Sequence, residues 1–114
     1  MELEKMQKMN EILQLCFAIN GLEARQREYT GEKPTIFFDF SGHIALLKIQ
    51  IHKTGWYAYE QMGKYAQADI QLEIHLNDPY EEIKEYVEEC IAYLKELKNL
   101  METSDNYEYL QQVI

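Results

Sequence analysis

Three histidines, two cysteines and a dense set of carboxylates are the residues of this 114-residue chain that could do chemistry. His43, His52 and His75 each fall in a stretch that reads as a strand. His52 and His75 lie on the polar phase of their strands, together with Asp69 and Glu73. Two imidazoles and a carboxylate brought together would bind a divalent metal, because those are the ligands such ions take. That requires the two strands to be neighbours and to share the matching register. Without both conditions the same residues are the wetted face of a half-buried sheet, which is the reading adopted. No metal and no cofactor is expected.

Ser41-Gly42-His43 sets a serine near a histidine. A nucleophile of this kind needs its base oriented by a third group, and the chain offers none. A tight turn accounts for both small residues. The five glycines are scattered, and none forms a phosphate-binding loop or a nucleophile elbow. Cys16 and Cys90 sit on the apolar stripes of two predicted helices, where a free cysteine acts as a small hydrophobe. Neither a paired-cysteine zinc spacing nor, in a reducing cytosol, a disulfide is indicated. With no catalytic residues to name, the chain is expected not to be an enzyme.

The remaining candidates are carboxylates and aromatic rings. Glu81, Glu82, Glu85, Glu88 and Glu89 crowd one stretch of predicted helix. Acid–base catalysis would need a pocket that shifts their protonation; on an outer helix face they are solvated. The charge is uneven. Met1 to Asn77 holds 10 acidic and 8 basic residues, whereas Asp78 to Ile114 holds 10 acidic and 3 basic, for a net charge of −9. Such a field repels phosphate backbones, so direct nucleic-acid binding is not expected. It suits a basic protein partner.

Elements of two kinds must position these residues. Leu3 to Ile19 and Pro79 to Met101 carry apolar residues three and four apart, the helical period. Asn20-Gly21 closes the first helix, since both residues tolerate a left-handed conformation. Asp78, Pro79 and Glu81 read as an N-cap, a first-turn proline and a capping box for the second. That helix carries Ile83, Val87, Cys90, Leu94, Leu97 and Met101 along one seam, and Thr103-Ser104-Asp105-Asn106 reads as its stop. The tail from Tyr107 to Ile114 remains apolar and is expected to dock on its own domain or on a partner.

Between the helices, Ile70, Leu72, Ile74 and Leu76 alternate with Asp69, Gln71, Glu73 and His75, the period of a strand with one buried face. Thr35 to Phe40 and His43 to His52 read as two strands joined by a two-residue link at Ser41-Gly42. Trp56 to Tyr59 reads as a third strand and Leu22 to Glu28 as a short edge strand. The fold class is therefore α+β. It is a single domain over residues 1–114, built as a two-layer sandwich. An antiparallel sheet of three to five strands has the N- and C-terminal helices on one face. No apolar run reaches the roughly 20 residues of a membrane helix, and no basic-plus-apolar leader is visible. A cytoplasmic location is the default.

Nine tyrosines, four phenylalanines and one tryptophan are many large rings for such a sheet. Helices cover only one phase of each strand, so Phe37, Trp56, Tyr57 and Tyr59 are expected to form an interaction surface on the open face. The five glutamates are the other candidate surface.

Phe38-Asp39-Phe40-Ser41-Gly42-His43-Ile44, followed by Leu47-Lys48-Ile49-Gln50-Ile51 and Gly55-Trp56, resembles short uncharacterised accessory proteins of phages and prophages of Gram-positive bacteria. The resemblance spans about 20 residues. It implies a small accessory protein working in a bacterial cytoplasm, and it transfers no site residue. The expected function is a non-enzymatic protein-interaction module that self-associates as a homodimer or binds a protein partner. Two alternatives stand beside it. One is an inhibitor of a host nucleic-acid-binding enzyme by acidic mimicry; the other is a small metal-binding protein or enzyme.

Overall fold

The computed structural model describes the backbone of residues 2–113 and the side chains of residues 3–103. In chain order the elements are α1 (Glu2–Asn20), α2 (Arg27–Thr30), β1 (Thr35–Ser41), β2 (Leu46–His52), α3 (Tyr59–Met62), β3 (Ile70–His75) and α4 (Tyr80–Val113). The strands form one antiparallel meander in the order β1-β2-β3.

Register decides which residues share a face. Ile49 pairs with Phe38 on one side and Leu72 on the other, and Ile51 pairs with Ile36 and Ile70. One face is therefore aliphatic throughout β2 and β3. Leu47, Ile49, Ile51, Ile36 and Ile74 on that face pack into a single core with Ile12, Cys16 and Ile19 of α1 and with Ile83, Val87, Cys90, Ile91 and Leu94 of α4. Both long helices thus cover the same face, and the α+β two-layer architecture expected from the periodicities is what forms. Lys5 ties the start of α1 to the end of β3 by donating to the carbonyls of Leu76 (2.7 Å) and Asp78 (3.0 Å).

The details differ in five places. The link between β1 and β2 has four residues, Gly42 to Ala45, and β2 begins only at Leu46. Ala45 takes a left-handed φ of 50° and its carbonyl accepts from Leu76 N–H, so His43 lies in an exposed turn rather than in a strand. Leu22 to Glu28 forms no strand. The Arg25 guanidinium donates back to the carbonyls of Ile19 and Asn20 at 2.7–2.9 Å, closing the end of α1. Trp56 to Tyr59 is not a strand either; the place beside β2 is filled by the longer alternating run of β3. α4 continues through Thr103 to Asn106, which hold neither glycine nor proline; polar residues alone lower helix propensity by only about 0.5 kcal/mol each. Docking of the tail concerns side chains outside the described residues. Finally, the Asp78 carboxylate makes no hydrogen bond among the described residues, and Glu82 N–H bonds to the Pro79 carbonyl instead.

The apolar face expected for α1 is narrower than its composition suggests. Leu3, Met6 and Phe17 are exposed, while Met9 and Leu15 pack against the core. Phe17 therefore stands beside the sheet rather than over it.

Candidate functional site

The features that gather on one side of the molecule begin with Asn20. Its side-chain amide donates to the Ile36 carbonyl (2.8 Å) and accepts from Ile36 N–H (2.7 Å). A neighbouring strand would make the same pair of bonds. The Ile36 backbone groups therefore point away from β2, and in an antiparallel strand the groups of alternate residues point the same way. The N–H and C=O of Phe38 and Phe40 consequently face the outer edge of β1, where no partner meets them among the described residues.

β1 also carries three exposed phenylalanines within four residues. Phe37, Phe38 and Phe40 are 43%, 37% and 52% exposed. Phe38 and Phe40 share the helix-covered face but lie beyond the shelter of α1. Phe37 is on the other face, 5.3 Å between ring centroids from His52 and 6.3 Å from Trp56. His52 is buried beneath this cluster. Burial holds its imidazole below the ordinary pKa near 6.5, against the opposing pull of Asp69 and a hydrogen bond to the Gln67 carbonyl.

Trp56 is held by loop structure. Its carbonyl accepts from Arg27 N–H at 2.8 Å, and the Arg27 guanidinium donates to the Thr54 carbonyl and hydroxyl, both at 2.8 Å. The same guanidinium lies 4.8 Å from the Tyr57 ring centre, the geometry of a cation–π contact. Gly55 lets the two segments meet. At φ +94°, a Cβ there would fall 3.0 Å from Arg27 Cγ and 3.1 Å from the Gly31 carbonyl oxygen. Between this loop, the end of α1 and β1 runs an open groove of about 820 Å³ whose walls include Phe17, Asn20, Arg25, Phe37, Phe38 and Trp56.

The four sequence-selected rings are thus only partly united. Phe37 and Trp56 form one cluster, and Tyr57 is half-buried against Arg27. Tyr59 lies apart in α3, stacked at 4.7 Å on the exposed Tyr65. The five glutamates all lie exposed on α4. Glu88 pairs with Lys8 of α1 at 3.0 Å, whereas Glu81, Glu82, Glu85 and Glu89 make no ion pair among the described residues.

The histidines are neighbours by strand but not by register. Asp69 N–H bonds to the Ile51 carbonyl beside His52, whereas His75 pairs with Leu46, the first residue of β2. Six residues of strand, about 20 Å, separate them. Among the described residues no three histidine, cysteine or acidic side chains converge on a point where an ion could sit. Cys16 and Cys90 are buried and unbridged, and burial pushes the Cys16 thiol up to about 11, so it carries no thiolate at neutral pH.

The bidentate use of Asn20 and the anchoring by Arg27 were not selected from sequence. Asn-Gly reads as a helix stop, and nothing local distinguishes a stop whose amide also reaches a strand 16 residues on. Comparison with protein-family models, curated proteins and solved structures finds no significant match.

Proposed function

We propose that this chain is a small, acidic, non-enzymatic protein-interaction module, an accessory protein of a phage or prophage working in the bacterial cytoplasm. It acts by self-association or by binding a protein partner through the aromatic surface on and around β1. The observation that carries this reading is the seven-residue strand β1, with three phenylalanines each more than a third exposed and, at Phe38 and Phe40, outward backbone groups that meet no partner among the described residues. Soluble monomers seldom leave large apolar surface open unless it is used, and a few large rings supply most of the energy of a protein interface. No helix among the described residues is long and apolar enough to cross a membrane, which is compatible with action in the cytoplasm.

A second reading is favoured by Glu81, Glu82, Glu85 and Glu89 on successive turns of α4, exposed and without an ion pair among the described residues. There the acidic face would occupy the phosphate-binding surface of a nucleic-acid-binding enzyme. One experiment separates the two. Tagged wild-type protein, a Phe37→Ser/Phe40→Ser variant and a Glu81→Gln/Glu82→Gln/Glu85→Gln/Glu89→Gln variant are incubated with lysate of a Gram-positive bacterium, and recovered proteins are compared. Loss of a recovered partner in the phenylalanine variant alone is the expected result. Loss in the glutamine variant alone would replace the aromatic surface with the acidic one.

A further inference from the structure

We propose that two copies of this chain join through their β1 edges into one continuous six-stranded antiparallel sheet, in the register that sets Phe40 opposite Phe40 and Asp39 opposite Ser41. The proposal rests on the interaction-module reading and names one partner for its surface, a second copy.

The two outer edges of the sheet are not equivalent. Glu73 N–H on the β3 edge donates to Tyr86 Oη of α4 at 3.2 Å, and the outward residues of that edge, Gln71, Glu73 and His75, are polar. The β1 edge has no lysine, proline or bulge, which are the usual guards against strand addition. Among the described residues its one closure is Asn20 at Ile36, and beyond that point Phe38 and Phe40 present donors and acceptors beside exposed rings.

Charge favours a second copy as the occupant. From Thr35 to His52 the only formal charges are Asp39 and Lys48, so this hairpin is neutral although the chain carries −9. Among the described residues the acidic helix α4 packs on α1 and β3 and makes no contact with β1. Two chains meeting edge to edge at β1 therefore keep their acidic helices on the far flanks.

Sequence then selects the register. A two-fold pairing with Phe38 opposite Phe38 sets Phe40 against Ile36, whose backbone groups Asn20 already holds. Moving one step, with Phe38 opposite Phe40, brings Asp39 face to face with Asp39, and like charges directly opposed are destabilising. The next step sets Phe40 opposite Phe40 and Phe38 opposite Gly42, the first turn residue, whose carbonyl accepts from Ala45 N–H at 3.4 Å but whose N–H meets no partner among the described residues. Asp39 then meets Ser41 in a non-hydrogen-bonded pair, where side chains lie closest, and each Ser41 hydroxyl can donate to the facing carboxylate. In the same arrangement the turn bearing the exposed Ile44 comes level with Asn20 and Phe17 of the other chain. The contact is isologous, as two-fold dimers require.

The test is mass in solution by sedimentation over a concentration series, with circular dichroism to confirm folding. Wild type is expected at twice the 13.6 kDa chain mass. Ser41→Asp should raise the dimer dissociation constant about tenfold, through two symmetry-related pairs of facing carboxylates, and Asp39→Asn added to it should restore dimerisation. Should Ser41→Asp fail to fold, Phe40→Cys supplies an independent reading. On the two-fold axis its Cα atoms would lie about 5.5 Å apart, within disulfide range. Mild oxidation should then give a covalent dimer that Gln71→Cys on the opposite edge does not give. A wild type that stays monomeric throughout the series overturns the proposal. So does a dimer indifferent to Ser41→Asp, or a Phe40→Cys chain that does not cross-link. Partner recovery from lysate is unaffected by these outcomes, so a monomeric wild type that still captures a partner through Phe37 and Phe40 refutes the dimer and keeps the module.

Discussion

The β1 and β3 edges belong to the same three-stranded sheet and differ in what closes them. At β3 a helix residue from the next element, Tyr86, reaches the middle of the strand, and the neighbouring side chains bond one another. Gln71 Nε2 donates to Glu73 Oε1 at 2.8 Å, and Gln50 Nε2 donates to Gln71 Oε1 at 3.0 Å. At β1 a single amide from the end of α1 imitates one residue of strand and stops there. The difference shows that a sheet edge is closed residue by residue: Asn20 holds both backbone groups of Ile36, and Tyr86 holds the N–H of Glu73.

The strongest way to break the contrast is to remove the β1 plug. Asn20→Ala leaves the part-buried N–H and C=O of Ile36 without partners and should cost about 2 kcal/mol, read as a lowered denaturant midpoint. Opening the other edge should cost less. Tyr86→Phe deletes one exposed bond, about 0.5 kcal/mol, and faster amide exchange at Glu73 would locate the loss.

A pH titration sharpens the contrast at the aromatic end of β1, where His52 lies under Phe37. Its folded pKa is lowered by burial, so below the ordinary value near 6.5 the unfolded chain binds more protons than the folded one. Stability should be full above pH 6.5 and decline as pH falls through the window beneath it. Urea midpoints at pH ~7.5 and ~5.5, either side of the ordinary imidazole value, should differ in wild type and differ less in His52→Phe. The smallest effect belongs to Asp78→Ala. The carboxylate makes no hydrogen bond among the described residues, so the stability should change by less than about 0.3 kcal/mol instead of the roughly 1 kcal/mol of a formed N-cap.

Legibility in the sequence followed the range of the interactions. The alternation of Ile70, Leu72 and Ile74 and the seam from Ile83 to Leu94 are repeated local signals, and each became the element it suggested. Trp56 to Tyr59 has strand composition but no repeat long enough to compete for the place beside β2, and the left-handed Gly55 before it turns the chain into a loop instead. His52 and His75 illustrate the limit of phase. Alternation places both on one face, but only the register, set by pairings along the whole strand, reveals that they stand at opposite ends. Of the candidate surface, Phe37 and Trp56 were legible as rings beyond the helices. Phase alone sets Phe38 and Phe40 on the same side as Ile36, and the width of α1 over the sheet, which leaves both exposed, cannot be read from its period.

The bonds from Lys5 to Leu76 and Asp78 span 71 and 73 residues, and the α1–α4 contact closes the fold from both ends of the chain. During synthesis the meander is complete in short-range contacts before α4 exists. Leu47, Ile49 and Ile51 then have only α1 above them until Leu94 has left the ribosome, a delay of a few seconds at about 5–20 residues per second. Nascent chains halted before Tyr80 would carry an aliphatic sheet face half uncovered, a substrate for chaperones and for aggregation.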